Sequence, residues 1–388
     1  MNKKNVLTNE RITAIDGLRG ICALIVVMGH FMVAFFPASY WGELLPSHTL
    51  YNIDTLLAQS PLSIFFAGNY AVYIFFTITG FVLCYKFYVN GNVIQTATNR
   101  YFRLCIPILF STLIVFIFMK LFLFTSVEAA KITGSNWLSG LYNFTPDFKE
   151  MLSITLFDVL FKGSSKYNTV FWMMSILFYG SFLVFLVVKL WGNMRNRQFV
   201  YLVLIIVFFS LNSLSYIAFI LGIFCADIFV NYKHIIEKIN NRIINLIMLT
   251  IGIYLGCYPA GVVPTNIFYS WLNIGDKSYQ IYHILGAFLL VIAIICSDSI
   301  QKILSIRPLQ YLGKISFSIF LVHIIVLCSF SCSVFIKVWN LTQKYQLSFI
   351  VAFIPSIIII IICAHLFYRL VEKNSNKIIS KIYNKFFV

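Results

Sequence analysis

The sequence predicts an all-α fold, a polytopic membrane helix bundle of about ten transmembrane helices with both termini cytoplasmic. Three observations carry that prediction. Hydrophobic residues make up 60% of the 388 and charged residues only 11%, whereas a soluble domain needs roughly 25% charged residues to cover its surface. Runs of about 20 mostly apolar residues, the length that crosses a hydrocarbon core as a helix, recur ten times. Lys and Arg are concentrated in every second interval between those runs, as the positive-inside rule requires of an alternating chain. Such a composition excludes a soluble enzyme, a secreted disulfide scaffold and a disordered protein.

The runs are 12–36, 69–88, 104–124, 169–190, 199–211, 214–230, 243–258, 281–297, 315–336 and 347–370. The first carries Asp16, Arg19 and His30 and is too long and too polar for a cleavable signal. Only Asn212 and Ser213 part the fifth from the sixth, so these two form a tight hairpin if both span, and the short fifth needs support from its neighbours. Sorted by alternate intervals, 20 Lys and Arg residues fall on the side of the termini. Seven fall on the other side, Lys131, Lys149, Lys162, Lys166, Lys277, Lys337 and Lys344, against seven acids. Arg19 and Lys120 lie inside or at the edge of spans. The net charge of +16 is thus a property of the cytoplasmic face. It punctuates apolar runs and does not form an aromatic-lined basic groove, so no nucleic-acid partner is expected.

Residues 1–388 read as a single transmembrane domain with no internal repeat. The longest polar interval, 125–168, faces outside and has room for a short helix or a lid; 44–57 is a smaller candidate for the same role. All nine cysteines lie in or beside apolar runs and read as small hydrophobes, including Cys328 and Cys332 on one helix face. No metal-ligand spacing, phosphate-binding loop or serine-nucleophile elbow is present, so no metal is expected.

Charge inside a span costs a few kcal/mol by insertion scales and therefore needs a reason. Asp16 and Arg19 are spaced to pair. Arg19 and His30 are eleven residues apart, which places them on one helix face with roughly 16 Å between them along the axis. Arginine suits phosphate because its planar fork is always charged, and histidine suits proton transfer near neutral pH. Two readings of this stripe stand: a charged passage through the bundle, or a helix-locking ion pair plus a buried histidine hydrogen bond. Arg100 and Arg103 form a cationic fork where the third span begins, serving either topology or anion binding. Thr77, Thr79 and Gly80 lie inside the second span, His323 well inside the ninth, His283 near the outer end of the eighth and His365 in the tenth. A buried histidine bonded to a neighbouring helix is the plainer reading of the last three.

These residues resemble the acyltransferase 3 family of membrane proteins. Asp16-Gly17-Leu18-Arg19-Gly20 with His30 is similar to the family's first-helix signature. Phe75-Phe76-Thr77-Ile78-Thr79-Gly80-Phe81 resembles its FF-x-x-SGF, with Thr79 for serine. Arg100-x-x-Arg103 precedes Pro107, and Leu312-Gly313-Lys314-Ile315-Ser316-Phe317-Ser318 with His323 is similar to a fourth motif. The resemblance implies transfer of an acyl group, usually acetyl, from cytoplasmic acyl-CoA to a hydroxyl of an envelope glycan or lipid-linked sugar. Acetyl-CoA would be a donor substrate, with no permanently bound cofactor, in the cell (inner or plasma) membrane. It implies His30, Arg19 and Asp16 as catalytic residues. Arg19, Arg100 and Arg103 would bind acyl-CoA, and Phe76, Thr79, Gly80, Trp172, Ser316 and His323 would line the acceptor passage. The partners implied are membrane lipid and the acceptor, with a homodimer left open.

Two departures bear on this. Leu177 stands where the family's fourth span has a glutamate, so an active chain does without it or uses Asp16 or an outer-loop acid. No fused C-terminal hydrolase-like domain, of the kind some relatives carry, follows the tenth span. The rival readings are a transporter or flippase of a lipid-linked sugar or anion, and a catalytically inactive relative.

Overall fold

The computed structural model describes residues 13–90, 93–375 and 377–379; Ile12 and the basic residues Lys3, Lys4, Arg11, Lys381 and Lys385 lie outside them. Every expected span is a helix, and among the described residues there is no strand. The ten are α1 (Thr13–Phe35), α2 (Gly68–Asn90), α3 (Val93–Lys120), α4 (Trp172–Trp191), α5 (Gln198–Ser210), α6 (Ser215–Asn231), α7 (Arg242–Gly256), α8 (Ser278–Cys296), α9 (Arg307–Thr342) and α10 (Tyr345–Phe367). Seven are long and apolar enough to cross a membrane, and α5, α6 and α7 are the shorter apolar helices.

Two boundaries differ from the expected ones in ways that matter for the site. Helix α3 begins at Val93, not at residue 104, because the polar stretch bearing Arg100 and Arg103 continues the same helix. Both arginines therefore project from helix and not from a loop. Pro107 lacks the N–H that would bond the Arg103 carbonyl. Helix α9 starts at Arg307, where Pro308 sits in its first turn and fixes the backbone angle without removing a needed donor. It runs through a π-type turn at Leu327–Ser331 to Thr342.

The interval 125–168 is mostly helical, at Ser126–Thr133, Asn136–Ser139, Phe148–Ser153 and, through a π-type turn at Ile154–Asp158, Val159–Phe161. Polar side chains hold it to the bundle: the Ser135 hydroxyl donates to the Val33 carbonyl at 2.7 Å, and the Asn168 amide donates to the Leu321 carbonyl at 3.1 Å. Its second half lies along α3, where the Tyr101 hydroxyl donates to the Leu156 carbonyl at 2.7 Å. The interval 44–57 joins it through His48 Nε2, 2.7 Å from the Thr133 carbonyl. Asp54 is buried there, accepting from the backbone N–H of His48 at 3.0 Å and the Thr49 hydroxyl at 3.0 Å. That acid is committed to holding a loop.

Helix α1 packs against α9, α2 against α6, and α7 against α8. The α1–α9 contact places the site. A Cβ added to Gly313 would lie 1.9 Å from the Asp16 carbonyl oxygen, and Gly20 faces the Gly313 amide. The two backbones touch, which only small residues permit. The helices run parallel from that contact, so His30 and His323, each ten residues beyond its glycine, arrive at one depth, ~15 Å further along at 1.5 Å per residue.

Gly313→Val is expected to destabilise the solubilised protein by about 1–3 kcal/mol or more, because the neighbour is backbone and cannot yield. Gly140→Ala, whose added Cβ meets nothing closer than 3.7 Å, is expected to melt with the wild type. Thermal unfolding of the two variants checks this.

Candidate active site

Two cavities lie along the face shared by α1, α2, α4 and α9. The first, of about 240 Å³, is lined by Arg19 of α1, Lys86 of α2, Arg100 and Arg103 of α3, and Glu372 just beyond α10. Four cations thus face one carboxylate. Arg19 lies 3.9 Å from Asp16, and the charges of Arg19 and Arg103 both act on Glu372. Arg100 feels Arg103 and Arg19 as like charges, and its Nε is buried without a hydrogen-bond partner among the described residues. A donor left unmatched among cations is costly in the protein alone and favourable once an anion arrives.

The second cavity, of about 220 Å³, is lined by His30, Tyr40, Trp41, Asn69, Trp137 and Trp172 among others. Here the histidine contact becomes informative. His323 Nδ1 is 2.9 Å from the Ile319 carbonyl, and His30 Nδ1 is 2.9 Å from the Val26 carbonyl. Carbonyl oxygens only accept, so each Nδ1 carries the proton. His323 Nε2, 3.2 Å from His30 Nδ1, then accepts a share of the His30 N–H. The consequence is chemical: His30 keeps Nε2 unprotonated and available to the cavity it lines, the tautomer a general base requires. Trp137, on the interval that folds back over α1, brings its ring to 5.4 Å from that of His30 and closes the site on that side.

Met173 and Phe320 line both cavities. The cationic compartment and the histidine compartment therefore meet at those two side chains. Residues 12–369 match the acyltransferase 3 family model, described as an acyltransferase domain. The chain belongs to the acyltransferase 3 family. Comparison with curated proteins and with solved structures gave no match. As a member of the acyltransferase 3 family spanning the bilayer many times, it is a multi-pass membrane acyltransferase.

The expected site residues divide into three groups in this acyltransferase. Arg19, Arg100, Arg103, Thr79 and Ser316 line the first cavity, and His30 and Trp172 the second. Thr79 and Ser316 each donate to their own helix, to the Phe75 carbonyl at 2.8 Å and the Gly313 carbonyl at 2.8 Å. Asp16 and His323 touch a site residue without being among the residues that line either cavity: Asp16 is beside Arg19, and His323 is fully buried behind His30. Phe76 and Gly80 are corrected from passage lining to packing. Phe76 is fully buried and stacks on Phe219 with ring centres 5.1 Å apart, and a Cβ on Gly80 would meet the Phe219 carbonyl oxygen at 2.3 Å.

Leu177 lines the first cavity, at the position of the missing family glutamate, and Glu372 supplies a carboxylate to that same cavity. The Ser318 hydroxyl donates to Glu372 Oε2 at 2.9 Å. Sequence reading missed Glu372, Lys86, Met173 and Phe320. For Glu372 a signal existed, a lone acid in the otherwise basic tail after the last span. The other three become visible only through packing.

Arg100→Met is expected to raise the melting temperature of the ligand-free protein, since it removes a half-buried cation whose buried Nε is unmatched, and to shrink the stabilisation given by inorganic pyrophosphate. Thermal melting with and without pyrophosphate reads both effects.

Proposed function

We propose that this acyltransferase moves an acyl group, acetyl in the simplest case, from cytoplasmic acyl-CoA to a hydroxyl of an envelope glycan or lipid-linked sugar in the cell membrane. One observation carries the reading: His30, whose Nδ1 is engaged by the Val26 carbonyl and His323, lines a compartment that adjoins, across Met173 and Phe320, a compartment with an excess of cationic side chains. The phosphates of CoA suit Arg19, Arg100, Arg103 and Lys86, because guanidinium groups pair their donors with phosphate oxygens. The aromatic walls of the second compartment, Trp41, Trp137 and Trp172, suit the apolar faces of a sugar ring and exclude water from the thioester.

In the reaction, His30 Nε2 takes the proton of the acceptor hydroxyl as its oxygen bonds the thioester carbonyl carbon. The carbon–sulfur bond then breaks with its electron pair on sulfur, and His30 returns the proton to the thiolate. His323 is a positioning residue that keeps the proton of neutral His30 on Nδ1. Glu372 restrains the cationic side chains when no phosphate is present. Acyl-CoA binding separates this function from lipid or anion translocation.

His30→Ala is expected to lower acyl transfer by about 10²–10⁴-fold, the range for a lost general base. His323→Phe is expected to lower kcat with little change in KM for the donor. Membranes supplied with labelled acetyl-CoA, read as label transferred and CoA released, check both. Equal rates for wild type and His30→Ala would remove His30 from the mechanism.

A further inference from the structure

The partition between the two compartments has a chemistry of its own. Met173 on α4 and Phe320 on α9 are both buried, 3% and 5% exposed, and they are the two residues common to both cavity walls. The phosphate-binding cations lie on one side and His30 on the other. An acyl group carried on the sulfur at the end of the CoA arm in the first cavity would pass between these side chains to reach His30 in the second. Their mobilities differ. Phe320 is backed by His323, with ring centres 6.0 Å apart, and His323 is itself held by the Ile319 carbonyl and His30. Met173 is an unbranched thioether with three rotatable bonds, the side chain best able to swing and refill a gap.

We propose that Met173 and Phe320 form a gate between the donor and acceptor compartments and set the length of acyl group this enzyme transfers, with Met173 the moving leaf and Phe320 the fixed one. The proposal rests on the function given above. A short acyl group passes when Met173 turns aside, whereas a longer one finds the second compartment, about 220 Å³ in all, already needed for the acceptor. The chemistry at the gate is the same exchange: the acceptor oxygen bonds the acyl carbon, sulfur leaves with the bonding pair, and the proton held on His30 goes to the thiolate.

The test uses full-length protein in membranes of its source cell, which supply the acceptor, with acetyl-, butanoyl- and hexanoyl-CoA as donors and both labelled product and free CoA thiol as readouts. Wild type is expected to favour acetyl. Met173→Ala is expected to raise the hexanoyl-to-acetyl ratio about tenfold or more, since one methylene in an apolar pocket is worth at least that much discrimination. Met173→Trp is expected to lose transfer from every donor while CoA still raises its melting temperature, which shows a fold that still takes the donor. An unchanged chain-length profile in Met173→Ala, or normal acetyl transfer in Met173→Trp, overturns the gate. Wild-type membranes that release no CoA from any donor overturn the function beneath it instead.

Discussion

The backbone contact between α1 and α9 is the constraint on which the site depends. Two parallel helices that touch at Gly20 and Gly313 have little freedom to slide, because a shift of one residue drives a carbonyl into a neighbouring chain. Ten residues on, that fixed register delivers two imidazoles to hydrogen-bonding distance. The tautomer of His30 then follows from two backbone carbonyls and one neighbouring nitrogen. A rigid crossing at one end of the pair thus becomes a protonation state at the other, with no ion pair required to hold it. The interval 125–168, tied to α1 through Ser135 and to α9 through Asn168, completes the arrangement by placing Trp137 over the ring.

The cationic compartment obeys a different rule. Four basic side chains, half-buried or exposed, line one cavity with a single carboxylate, and their mutual repulsion is unfavourable in the ligand-free protein. The extension of α3 back to Val93 carries half-buried Arg100 and exposed Arg103 to the wall of the first cavity. Glu372, contributed from beyond α10 and steadied by Ser318, offsets part of the repulsion among Arg19, Arg103 and their neighbours. Helix α1 and the turn after α10 therefore meet at one charged cavity, α1 supplying Arg19 and that turn the Glu372 carboxylate.

Much of this was legible in the amino-acid order. All ten helices were readable, seven of them long and apolar enough to cross a membrane, because hydropathy reports the apolar solvent directly, and the eleven-residue interval between Arg19 and His30 placed both on one stripe. The helical character of 93–103 was not, since polar residues in a helix that extends past the hydrocarbon carry no hydropathy signal. His323 was noticed as a buried histidine, but its partner was invisible until α1 and α9 were seen to run parallel in register. Phe76 and Gly80 looked like passage lining because aromatic and glycine residues serve both roles; only contact with Phe219 distinguishes packing. Met173 and Phe320 carry no sequence mark at all, because their importance lies in standing between two spaces formed by distant helices.

The most direct test is a structure of this acyltransferase with a non-hydrolysable acyl-CoA analogue bound. The phosphates are expected on Arg19, Arg100 and Arg103, with the acyl carbonyl past Met173 and Phe320 and within reach of a hydroxyl bonded to His30 Nε2. Phosphates bound away from those arginines, or an acyl group pointing away from His30, would show that the two compartments do not divide donor binding from acyl transfer.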